Sequence, residues 1–248
     1  GTDNAGLRIF SFKTETFRPY VFNSGRMDPL TQKVHSVCID NDNSIWLALY
    51  QKGLMYIPHE QRPFRYIGYN SYQSNSIGDK CVTAIVQSDK DQYWIATDNG
   101  GLHVINSTGQ SVRHFPYTGK PGTIPSSLVA LYRDNRGRFW FGSYTQGFGQ
   151  VDSHTGQCTF CTIEGEDATH SSMFCFEQDH QGRIWAGSMG SGIYLYDEVR
   201  KTMTLAVDTS FCHWTNDIHF DPVRNVLYAG THNGLAIIDA DDPDYAAI

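Results

Sequence analysis

The sequence predicts an all-β protein, a β-propeller of four-stranded antiparallel blades with five full repeats and a partial one. Three observations lead there. An aromatic anchor, then small residues, then a Gly and an apolar strand, recurs at Trp46, Trp94, Trp140, Trp185 and Tyr228, with spacings of 48, 46, 45 and 43 residues. The segments around each anchor are short, rich in β-branched and aromatic residues, and punctuated by Asp, Asn and Gly, which is the pattern of strands and turns. No window carries a sustained helical stripe of apolar residues, so almost no helix is expected. Antiparallel strands recurring at this period are the mark of a propeller blade.

Each unit reads in the same order. An apolar strand such as "VTAIVQ" (82–87) or "LVALYR" (128–133) comes first, and a polar turn such as "DNDNS", "DNRGR" or "DHQGR" follows. The anchor strand, a Gly turn and a third strand such as "GLHVIN" or "GIYLYD" come next. A looser fourth strand is expected at "FRYIG", "VRHFP", "CTFCT" and "TMTLA". The blades are expected at 34–67, 81–116, 127–162, 172–206 and 215–238, with 1–20 as the end of a preceding blade, because Gly6 fills the Gly slot with no anchor before it. A lone sheet cannot bury both faces, so the anchors are expected between blades. The small residues Ala48, Ala96, Gly142, Gly187 and Gly230 would let the next sheet approach. The repeated turn Gly would take a positive φ.

The bulk numbers exclude several classes. With 248 residues, 40% of them hydrophobic, the chain can bury a sizeable core. Its net charge is −7 with no run of Lys or Arg, which argues against a nucleic-acid partner. No stretch of about 18 apolar residues offers a membrane-spanning helix. Six cysteines are too few for a disulfide scaffold of this length. Cys38 and Cys175 fall in first strands and are expected to be small buried apolar groups.

Motifs for chemistry are sparse. "CTFC" (158–161) has redox or zinc spacing, but an extended strand sends residues i and i+3 to opposite faces. "DNDNS" (40–44) begins like a calcium loop but lacks its Gly and closing Glu, so it reads as a turn. The ten histidines form no paired metal motif, and neither a nucleophile elbow nor a phosphate loop is present. No catalytic residue, metal or cofactor is therefore assigned. The acidic tail "DADDPD" (239–244) reads as a solvated exit.

The unit "D-x-x-G-R-I-W-A-G-S-x-x-S-G-I-Y-L-Y-D" (179–197) resembles the two-component regulator propeller repeat, whose consensus is close to "D-x-x-G-x-[LI]-W-[IV]-G-T-x-x-x-G-L-x-x-[YF]-[ND]". The resemblance covers essentially the whole chain, most closely around Trp94, Trp140 and Trp185. The first repeat departs from it around Leu49-Tyr50, and the last has Tyr228 for Trp. The resemblance implies the periplasmic sensor region of a Bacteroidetes hybrid histidine kinase, a receptor for oligosaccharides, attached to a membrane-spanning kinase and able to form a homodimer. Family members usually carry two seven-bladed propellers, so this chain would be part of one, or a variant of it.

Ligands of propellers are expected on the face built by two sets of loops. The turns between second and third strands supply Tyr50, Gln51, Lys52, Asp98, Asn99, Tyr144, Gln146, Met189, His232 and Asn233; the entries to the first strands supply Asp79, Lys80, His170, Phe211, His213 and Trp214. Rings can cover the C–H face of a sugar while amides and charges bond its hydroxyls. Trp214 stands out because no other repeat has a large aromatic there. It is expected either to stack on a sugar, or to plug the central channel or pack under a neighbouring loop. Three functions follow: a non-catalytic sensor, a propeller lyase or hydrolase using His170, His213 or His232, and a protein-interaction scaffold.

Overall fold

The computed structural model of the protein describes residues 1–20, 30–59, 67–68, 77–78, 81–89, 91–107, 109–165, 172–242 and 244–245. Two compact units are present, Gly1–Ser76 and Ile77–Ile248.

In the first unit, β1 (Arg8–Ser11) and β2 (Thr16–Pro19) form a hairpin, and β3 (Val34–Ile39), β4 (Ile45–Leu49) and β5 (Gly53–Ile57) form a three-stranded antiparallel sheet. Strand alternation sends Leu47 and Leu49 to a cluster with Leu7, Val34 and Ile57. The opposite face stays open. There Trp46 is 37% exposed and Tyr56 46%, and Cys38, paired across from Trp46, is also exposed. The expectations of a buried Trp46 and a buried Cys38 are thus corrected: both stand on the sheet face that the apolar cluster does not use. The fourth strand expected at "FRYIG" begins outside the described residues.

The second unit holds four sheets. Two are regular four-stranded blades: β6 (Val82–Asp89), β7 (Gln92–Thr97), β8 (Gly101–Asn106), β9 (Ser111–Phe115); then β10 (Leu128–Arg133), β11 (Phe139–Ser143), β12 (Phe148–Val151), β13 (Cys158–Phe160). The chain then bends at Cys161, and β14 (Thr162–Ile163) pairs parallel with the outermost strand of the next sheet. That sheet comprises β15 (Met173–Gln178), β16 (Ile184–Ser188), β17 (Ile193–Asp197) and β18 (Thr202–Val207). "CTFCT" is therefore two short strands that stitch neighbouring sheets together, not one. A single turn of helix, α1 (Thr209–Cys212), capped by Asp208, leads to β19 (Thr215–Asp221), β20 (Val226–Thr231) and β21 (Gly234–Asp239).

Five four-stranded repeats were expected, but this last sheet has three strands among the described residues. After Asp239 the chain turns back, and Tyr245 packs edge-on against Trp185 at 5.1 Å. The acidic tail is not merely solvated, for Asp241 accepts hydrogen bonds from Gln181 and Asn225.

One short circuit recurs in three of the repeats. In the turn after the first strand, an Asp carboxylate accepts two backbone N–H groups and the indole N–H of the anchor. Asp134 takes Arg136 N, Arg138 N and Trp140 Nε1; Asp179 takes Gln181 N, Arg183 N and Trp185 Nε1; Asp40 takes Asp42 N, Ser44 N and Trp46 Nε1. This settles "DNDNS" as a turn. Arg138 and Arg183 add an ion pair to the same Asp at 2.6 Å and lie over the indoles. Burial alone would raise the Asp134 carboxyl, but the donors from Trp140 and Arg138 hold it below its ordinary range.

Each tryptophan anchor in this unit packs on the following sheet. Trp94 stacks on Phe139 at 4.2 Å, Trp140 meets Tyr196 edge-on at 4.7 Å, and Trp185 joins Ile218, Leu227 and Ala229. All three are essentially inaccessible. Tyr228 is only half-buried, a further correction: it lies opposite the face where Leu227 and Ala229 pack. Close approach needs small residues. A Cβ on Gly142 would sit 1.9 Å from the Met173 carbonyl, and one on Gly187 would sit 2.6 Å from Cys175 Sγ. The turn glycines Gly101 and Gly192 have φ of +81° and +99°, as the repeat requires.

Candidate functional site

The loop face has a backbone frame that recurs in every repeat. The first residue of each turn between second and third strands donates its N–H to the carbonyl just before that sheet's first strand. The pairs are Tyr50 to Lys33, Asp98 to Cys81, Tyr144 to Ser127, Met189 to Ser172 and His232 to Trp214, at 2.9–3.2 Å. In four repeats the residue before the turn, Thr97, Ser143, Ser188 or Thr231, donates its hydroxyl to the carbonyl of the turn Gly. Leu49 cannot, which is where the first repeat departs from the others.

Within the second unit this frame continues from sheet to sheet. Asp98 bridges to Ser127, and Asn99 donates to the Ser126 carbonyl at 2.6 Å. Ser172 donates its hydroxyl to the Tyr144 carbonyl. Met189 bridges to Trp214. Three of the unit's turns are thereby fastened to the entry of the next sheet, so side chains project from a fixed edge.

The expected site residues fall into groups on this frame. Trp214 and His232 stack face to face at 4.7 Å and 2°. Trp214 is half-buried, while His232, Asn233, His213 and Phe211 are exposed beside it. Trp214 thus stands at the loop face with one side of its ring on an imidazole. Tyr144, 48% exposed, leans edge-on toward Phe174. Gln146 accepts the N–H and hydroxyl of Ser126 at 2.7 and 3.0 Å and lines a hollow of about 220 Å³ with Tyr117, Lys120 and Phe160. Asp98 and Asn99 are engaged in the seam. Tyr50, Gln51 and Lys52 stand on the corresponding turn of the first unit. Asp79, Lys80 and His170 lie outside the described residues.

Sequence reading missed Lys33 and His35. Lys33 Nζ sits 4.9 Å over the Tyr50 ring, and the His35 ring lies 5.2 Å from it. Aligning the residue before each first strand would have found Lys33. A polar ladder at the opposite end of the sheets was also missed: Tyr132 donates to Glu177 at 3.1 Å, with His219 at 3.7 Å on the other carboxylate oxygen. His103 was not singled out either. It is 2% exposed, stacks on His114 at 3.9 Å and accepts the Gly78 N–H at 2.9 Å. Burial, then the charge of His114, drives its pKa down to about 4.

The "CTFC" cysteines part as expected. Cys158 packs toward the cluster around Trp94 and Cys161 toward that around Trp140. Burial raises both thiols to about 12, so neither offers a thiolate at neutral pH. Among the described residues no group of three or more metal-ligating side chains converges.

No protein-family model matches the chain, and no curated protein sequence matches it. Solved structures do. The chain is similar to the extracellular domain described for hybrid two component system BT3049 from B. thetaiotaomicron, at 22% identity and a TM-score of 0.56, with 99% of this chain and 37% of that one covered. It is similar to the extracellular domain of BT4673 from the same organism, at 15% identity, a TM-score of 0.58, and 99% and 35% coverage. The WD40 β-propeller domain of Doa1 matches at 13% identity and a TM-score of 0.54, with 99% and 90% covered. This is a β-propeller fold. The chain spans little more than a third of the length of the extracellular domains that it matches.

Proposed function

We propose that the chain is a non-catalytic, periplasmic sensor domain that recognises an oligosaccharide and signals to a histidine kinase in a two-component system. The observation that carries the reading is the stacked pair Trp214 and His232, half-buried and exposed, on a backbone frame tied from turn to turn. A flat aromatic pair held still on a loop face suits the C–H face of a pyranose, and the amides and imidazoles around it suit hydroxyls. The likeness to extracellular domains of two-component proteins supports the signalling context. Recognition transmits a signal only where the ligand binds one arrangement of the receptor better than another.

The test is a glycan array on the purified chain, then calorimetric titration of the best-bound glycan. Trp214→Ala, with an unchanged circular dichroism spectrum, is expected to cost about 2 kcal/mol of affinity, as aromatic hot spots do. Unchanged affinity removes Trp214 from the site. An array on which no glycan binds overturns the oligosaccharide reading.

A further inference from the structure

Positions that hold a repeat fold together recur in every copy, whereas a ligand contact need appear only once. The loop-face pairs are Lys33 with Tyr50, Cys81 with Asp98, Ser127 with Tyr144, Ser172 with Met189, and Trp214 with His232. Two of these depart from the rest in bringing a ring to a ring or a cation to a ring: the last, already described, and the first. Only the first repeat carries a lysine in its pair. It carries a second, Lys52, where the turns of equal length hold Gly100, Gln146 and Ser191. It also gives up the hydroxyl that caps the other turns, having Leu49 there.

Lys33, His35 and Gln51 gather on the Tyr50 side chain. The Tyr50 ring is 46% exposed, with Lys33 Nζ 4.9 Å from its centroid and the His35 ring 5.2 Å away. Gln51 Nε2 donates to the Tyr50 hydroxyl at 3.3 Å. Lys52 Nζ donates to Gln32 Oε1 at 2.9 Å, and Gln32 is only 5% exposed. A buried amide therefore orients the Lys52 ammonium without neutralising it. Among the described residues Lys33 has one counter-ion, Asp3 at 2.8 Å, whose side chain is 68% exposed. Exposed surface pairs of that kind are weak, so an incoming anion can displace the aspartate. Among the described residues, two lysines against one exposed carboxylate make a local positive excess in a chain of net charge −7.

We propose that Lys33, over the Tyr50 ring, and Lys52, two residues on in the same turn, bind an anionic substituent of a sugar, a carboxylate or a sulfate, while the ring of that sugar lies against the exposed phenol. The inference rests on the reading of the chain as an oligosaccharide receptor, and it names the class: acidic saccharides. Charge-assisted bonds from the ammonium groups supply the selection against neutral sugars. The phenol ring supplies apolar contact and a fixed orientation.

The experiment is calorimetric titration with three probes: trigalacturonate, its carboxyl-reduced neutral counterpart, and a sulfated galactose trisaccharide. The proteins are the wild-type chain, Lys33→Met, Lys52→Met, the double variant, and Lys52→Arg, with equal thermal melts required of each. At least one acidic probe is expected to bind about tenfold or more tightly than the neutral one, and each Lys→Met change to weaken it about tenfold. Lys52→Arg should keep most of the affinity, and added salt should weaken acidic binding only. The tighter of the two acidic probes identifies the anion. Equal affinity for acidic and neutral probes, or acidic binding undiminished in the double variant, overturns the proposal, as does a wild-type chain that binds neither acidic probe. A neutral glycan bound through Trp214 alongside indifferent acidic probes overturns this inference and leaves the receptor reading standing. Titration with inorganic sulfate, followed by the NMR signals of Tyr50 and His35, tests the anion site without any sugar: shifts lost in the double variant support it, and shifts unchanged there count against it.

Discussion

Trp140 and Trp46 occupy the same place in the repeat but face different surroundings, and that difference fixes what each removal costs. Trp140 is inaccessible, meets Tyr196 at 4.7 Å, lies under Arg138 and donates to Asp134 at 3.1 Å. A buried tryptophan withdraws about 150–250 Å² from water. At about 25 cal/mol per Å² that is about 4–6 kcal/mol, of which Ala keeps a part. A closed site between two sheets cannot collapse, so Trp140→Ala should cost about 3–5 kcal/mol. Trp46 keeps the bond to its Asp but is 37% exposed. It already has over a third of its surface in water, and its loss leaves an open notch rather than a cavity, so Trp46→Ala should cost about 2 kcal/mol or less. Urea unfolding followed by far-ultraviolet circular dichroism measures both. The two residues belong to different units, so where the units melt separately each variant should shift its own transition. A Trp140→Ala loss below about 1 kcal/mol, or equal losses for the two variants, refutes the reasoning from sheet-to-sheet burial.

Two further outcomes follow from the packing. Gly142→Ala should destabilise by about 1–3 kcal/mol, because its Cβ would meet the Met173 carbonyl at 1.9 Å; Gly230→Ala, whose nearest contact is 3.9 Å away, should stay within about 0.5 kcal/mol in the same unfolding assay. The pKa of His103 is about 4 in the fold against 6.5 ordinarily, so the unfolded chain takes up its proton first as pH falls. Its contribution is complete above the unfolded value and is lost progressively between the two, by up to about 3 kcal/mol. The stability of His103→Gln should therefore fall less than that of wild type from about pH 7 to about pH 5, and parallel curves for the two proteins would sink the assignment.

The blade was legible in the sequence because one local circuit is written out in three of its copies. Asp134 and Trp140 are six residues apart and bond directly, and so are Asp179 and Trp185. Such contacts leave their trace in spacing. Which face a neighbouring sheet covers is decided by residues far along the chain. That is why Trp46, Cys38 and Tyr228 were expected in the interior and stand outside it or half in it. The same holds for β14, since "CTFCT" looks continuous until the strand of the next sheet draws Thr162 and Ile163 across.

The loop face divides in the same way. Its membership followed from the repeat, but its neighbours did not, since the bonds from Asp98 to Ser127 and from Met189 to Trp214 join one repeat to the next. Trp214 drew notice as an aromatic out of place. Its partner His232 could be named only once the turn and the entry were known to lie side by side. The frame consists of backbone bonds and buried hydroxyls, which hold for many side chains at the pair positions. The five loop-face pairs can therefore change while the sheets stay as they are, and structures with 22% identity or less share the fold with this chain. On the receptor reading proposed above, selection among ligands would rest with Lys33, Tyr50, Lys52, Trp214 and His232 rather than with the anchors.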